Sequence, residues 1–124
     1  MLTDHGRFSY SGIAKRESFE WPGGKHIALY IALNIEHFPY GEGGGIDLDR
    51  ETKPWSQRSW LWREYGNRVG GWRLADLFDE LEMNLGVIVN ASNYSHTPEL
   101  IERFRKRGDE MIGHGISNGT IRPI

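Results

Sequence analysis

The chain has 124 residues, a formal net charge of −2 and 38% hydrophobic residues: the length of one folded domain, with no basic surplus to draw it to nucleic acid or an anionic membrane. It has no cysteine, which excludes disulfides and thiolate metal sites. No apolar run is long enough for a bilayer span, and the opening residues lack the pattern of a signal peptide, so the cytoplasm is the expected compartment.

Residues 1–25 read as an irregular arm closing on the turn Trp21-Pro22-Gly23-Gly24. Residues 26–34 are apolar at nearly every position and follow glycines, the pattern of a strand buried on both faces of a parallel sheet. A long glycine- and tryptophan-rich connection is expected over residues 35–66, including Trp55, Trp60 and Trp62; such loops are usually functional or disordered. From Asn67 a helical period sets in, with Leu74, Leu77, Phe78 and Leu81 on one face. Residues 85–91 form a second apolar strand. Thr97 and Pro98 then supply an N-cap and a first-turn proline to a helix with Leu100, Ile101 and Phe104 as its apolar face. Arg105, Lys106 and Arg107 read as its solvated basic end, and Gly108 as its stop. Residues 110–113 form the third strand.

This β-loop-α-β-α-β order predicts an α/β fold: a parallel sheet in βαβαβ order with right-handed crossovers. Ligands of such sheets sit at the carboxyl ends of the strands. Those ends carry Asn34, Glu36 and His37, then Asn90, then His114 and Asn118. A carboxylate and two imidazoles together suit a divalent metal such as zinc, with water activated beside a carboxylate base. A hydrogen-bonded polar rim without metal uses the same residues. Arg68, at a helix entrance above the sheet, is placed to meet a substrate carbonyl or carboxylate, or to serve as a structural arginine. The tryptophans suit either stacking on a sugar ring or packing onto the domain. The glycine run that begins at Gly41 lacks the spacing of a nucleotide-binding loop.

His114-Gly115-Ile116-Ser117-Asn118, after an apolar Glu-Met-Ile-Gly strand, resembles the second motif of polysaccharide deacetylases (NodB-homology domains, carbohydrate esterase family four), in particular their allantoinase-like and peptidoglycan-deacetylase-like branch. Trp21 to Lys25, Leu33 to His37 and Arg63 to Leu74 agree, so the resemblance spans most of residues 20–118. It implies an irregular (β/α) barrel, of which this chain is the N-terminal part. The activity implied is hydrolysis of non-peptide C–N bonds, in a carbohydrate N-acetyl group or a cyclic or linear amide. The family's metal-dependent members use two histidines four residues apart. His114 matches the first, while Asn118 stands at the second. Depending on register, the base falls on Asn34 or Glu36 and the acidic ligand on Glu36 or His37. Glu36 is preferred, as the only carboxylate there. The resemblance thus implies Glu36, His114 and Asn34 as catalytic, and Arg68, Asn90 and Asn118 as substrate-binding. Glu36, His37 and His114 would be the ligands if zinc is used, and the allantoinase-like branch dispenses with metal.

The expected organisation is an arm over residues 1–25, a partial deacetylase-like domain over 26–119 and a divergent tail over 120–124. The expected partners are a carbohydrate or small amide substrate and a second copy of the chain, without nucleic acid or membrane. A truncated reading frame is expected. A catalytically inactive fragment that assembles with other chains is the alternative, and a small complete flavodoxin-like binding domain is a third.

Overall fold

The computed structural model describes residues 6–42 and 55–119. The expected tail at 120–124 and the glycine run from Gly43 onward lie outside the described residues. After a short 3-10 turn (Ile13–Lys15) and the bridge between Trp21 and Lys25, the elements run β1 (Ala32–Ile35), α1 (Gln57–Tyr65), a π turn (Gly66–Gly70), α2 (Gly71–Glu80), β2 (Gly86–Val89), α3 (Asn93–His96), α4 (Pro98–Arg107) and β3 (Glu110–Gly113). The sheet is parallel in the order β1-β2-β3, with Leu33 beside Val87 and Val87 beside Met111. The α/β class and the parallel strand order agree with the sequence reading.

Side chains alternate across a strand, so register assigns the faces. Ile35, Val87 and Val89 point to one face. With Ala75 of α2, Leu85, and Leu100, Ile101 and Phe104 of α4 they form the core. β2 is central and β-branched at three of its four residues, and it is the best buried strand. On the opposite face Ala32 and Asn34 are exposed, and the phenol of Tyr30 reaches across Gly86. A Cβ on Gly86 would meet the Tyr30 hydroxyl at 1.9 Å, so only glycine admits that ring.

Five sequence expectations need correction. The first strand is Ala32–Ile35, not residues 26–34, and Ile27 is 81% exposed. An apolar run needs neighbours on both sides to be buried, and the sheet pairs only the end of this one. The connection over 35–66 contains α1, whose Ser56 accepts a hydrogen bond from the Ser59 amide as N-cap; its polar and tryptophan-rich sequence has no apolar stripe to announce a helix. Of the expected stripe on α2, Phe78 packs against the core beside the buried Ala75, while Leu77 and Leu81 are exposed. Thr97 makes no cap bond into α4: its hydroxyl turns back to the carbonyl and side-chain oxygens of Asn93, because α3 ends where α4 begins.

Arg107 is the fifth departure, being only 3% exposed rather than solvated. Its guanidinium bonds Asp109 at 2.8 Å, Asp79, and the carbonyls of Ala75 and Met83. Asp109 in turn accepts the Leu85 amide at 2.9 Å. Gly108, at φ 80°, makes the left-handed turn that brings Asp109 back beside Arg107.

Candidate active site at the strand ends

The three strands deliver Glu36, Asn90 and His114 just beyond their carboxyl ends. Asn90 joins them. It is fully buried; its Oδ1 accepts the His37 amide at 2.8 Å, and its Nδ2 donates to the His114 carbonyl at 2.5 Å and to Asn118 Oδ1 at 3.1 Å. A buried amide is stable only when its donors and acceptors are met. Here the three strand tips meet them, so Asn90 is committed to holding the site together. Asn93 does the same one turn later, donating to the Ile35 carbonyl at 2.8 Å, and Asn67 donates to the Glu36 carbonyl at 2.8 Å.

Within this frame His114 Nε2 lies 3.0 Å from Glu36 Oε1, both side chains being partly exposed. The pair spans 78 positions of sequence and is the closest meeting of the expected catalytic groups. Because Asn90 Nδ2 must face the His114 carbonyl, Asn118 must offer Oδ1 to it. The Nδ2 of Asn118 is left directed away, without a partner among the described residues. Glu36 and Asn34 also line a cavity of about 240 Å³ with Phe38, Arg63, Asn67 and Gly70, where the π turn runs beside β1.

His37 does not join that pair. Its Nδ1 lies 2.8 Å from Ser92 Oγ, and its ring stacks on His96 with centroids 4.1 Å apart. Burial, and then the neighbouring His96, hold its pKa below 6.5 against the opposing pull of Glu64. Arg68 lies apart from the strand tips and is tied to Glu64 at 2.9 Å. Neither Glu64 nor His96, which are 2.7 Å apart, stood out in the sequence. Glu64 falls in the stretch read as a connection, and His96 just before Thr97 reads as a surface residue; the signal available for Glu64 was only its i, i+4 spacing from Arg68. Trp55 and Trp60 pack edge-on around Tyr40, Trp60 donates to the Phe38 carbonyl at 2.9 Å, and Trp62 is exposed.

A catalytic zinc takes three protein ligands and keeps one open position. Among the described residues no three His, Asp or Glu side chains are placed to hold one metal ion. Of the expected ligands Glu36 and His114 come together, while His37 turns its Nδ1 to Ser92. Among the described residues no helix is long and apolar enough to cross a membrane. Comparison with protein-family models, with curated proteins and with solved structures finds no match.

Proposed function

We propose that the chain is a polysaccharide-deacetylase-like hydrolase of non-peptide C–N bonds, its sheet forming part of an irregular (β/α) barrel. The observation that carries this reading is the Glu36–His114 pair at the carboxyl ends of parallel strands. Glu36 Oε2 has no hydrogen-bond partner among the described residues and accepts a proton from water as the water oxygen bonds to the amide carbonyl carbon. His114 holds the carboxylate in place through Oε1. The Asn118 amide donates to the carbonyl oxygen as it gains charge. Collapse breaks the C–N bond, and the proton held by Glu36 passes to the departing nitrogen, giving a carboxylic acid and an amine. Asn34 and Arg68 orient the substrate on either side.

The test is release of primary amine from N-acetylated chito-oligosaccharides and simple amides by the purified chain. Glu36→Gln and His114→Ala are each expected to lower kcat/KM about 100-fold or more, the scale of general acid–base catalysis. Activity that survives Glu36→Gln would overturn the assignment. Zinc content measured beside activity distinguishes the metal-using version, in which zinc is stoichiometric and lost in His114→Ala.

A second reading, a non-catalytic piece that assembles with other chains, is favoured by one observation. β1 and β3 are both edge strands of the described sheet. Absence of amine release by the wild-type chain, together with self-association, is its expected signature.

A further inference from the structure

Glu64 is a carboxylate only 4% exposed, and both its oxygens are occupied, Oε1 by His96 Nε2 and Oε2 by Arg68 Nε. A buried carboxylate is tolerated only when paired in this way. The pairing also fixes the arginine. Nε is the inner nitrogen of the guanidinium, so Glu64 grips the group from behind. The two terminal nitrogens face outward without a partner among the described residues, on a side chain that is 67% exposed. Arg68 borders a cleft of about 290 Å³, lined also by Asn67, Trp72, His96, Thr97 and Glu99. Trp72 stands in the first turn of α2 and Glu99 in the first turn of α4, at the end of the sheet where the strands deliver Glu36 and His114. Asn67 links the two places, since its side chain holds the Glu36 carbonyl.

We propose that this cleft binds a carboxylate-bearing arm of the amide substrate, with Arg68 as the anchor and Glu64 as the positioning residue behind it. The inference rests on the hydrolase reading for the amide and adds the charge of the substrate. A planar guanidinium held by one edge offers two parallel N–H groups, which match the two oxygens of a carboxylate. Trp72 supplies an apolar wall, and Glu99 accepts an N–H of the same ligand. One guanidinium with two carboxylates beside it, Glu64 behind and Glu99 in the cleft, suits a single negative charge better than a phosphate dianion.

The probe is N-acetylglycine titrated into the purified protein, against its N-methylamide and inorganic phosphate. The readout is the N–H resonances of the Arg68 Nε and the Trp72 indole. N-acetylglycine is expected to shift both saturably. Its apparent Kd should rise at least tenfold in Arg68→Lys, and also rise in Glu64→Gln, where the guanidinium loses its ionic grip. Arg68→Lys keeps a cation for the buried Glu64 but loses the Nε bond, so its Kd is read at a temperature where its own melting curve shows it folded. Equal response to the acid and its methylamide, tighter binding of phosphate, or a Kd unchanged in Arg68→Lys would overturn the proposal. N-acetylglycine binding without hydrolysis of any amide would sink the hydrolase and leave the carboxylate site. Hydrolysis indifferent to substrate charge would do the reverse.

Discussion

Asn90 shows how one buried side chain can organise a site. Its amide meets the main chain beyond β1 and β3 and sets the orientation of Asn118. Asn90→Ala leaves the part-buried His37 amide and His114 carbonyl without the partner that Asn90 gives them. An unsatisfied buried group costs about 1–3 kcal/mol, so the substitution is expected to cost about 2 kcal/mol or more in urea unfolding. A loss near zero would show that water replaces the amide. His37 carries a pH dependence of definite sign. Its folded pKa is depressed, so the fold disfavours the charged ring. Its contribution is complete above 6.5 and is lost as pH falls from there toward the depressed value. The melting temperature is expected to fall over that window more steeply in wild type than in His37→Gln, and parallel profiles would contradict it. Glu36, Asn90, His114 and Asn118 were legible in sequence because each stands at the end of an apolar run. Glu64 and His96 were not, because their partners come from separate elements.

At the scale of elements, α4 is bound to its surroundings by charge as well as by its apolar face. Arg107 reaches α2 through Asp79 and the Ala75 carbonyl, and reaches the lead into β2 through Asp109. Arg103 also bonds Asp76 and Asp79, and these arginines hold the Asp79 pKa down, the Arg103 hydrogen bond foremost. Arg107→Ala abandons a buried Asp109 carboxylate and is expected to destabilise by about 3–5 kcal/mol. Arg107→Met with Asp109→Asn should recover part of that in the same urea titration; no recovery would mean that packing of the arginine stem dominates. The apolar positions of α4 were readable from their period. The burial of Arg107 was not, since a basic last turn ordinarily faces solvent. The α1 helix was missed for the opposite reason: its residues carry no periodic apolar face, and it is capped by Ser56 and continued into α2 by the π turn.

At the scale of the whole molecule, the sheet's cover among the described residues is mostly on one side. The core lies between the sheet and α2 and α4, while Ala32 and Asn34 stand exposed on the other face, and both outer strands are edges of the described sheet. Open edges and an uncovered face favour association. Sedimentation velocity is therefore expected to show an oligomer whose population grows with concentration; a monomer throughout, melting in one cooperative transition, would count against this. By itself the sequence determined the α/β class, the order of the three strands, the apolar face of α4 and the polar strand ends, because these depend on local period and on chain order. Only the tertiary structure decided that Glu36 meets His114 while His37 turns to Ser92 and His96, and that Glu64 lies buried behind Arg68. Those pairings depend on strand register and helix placement, which bring together residues far apart in the chain and which no local pattern encodes.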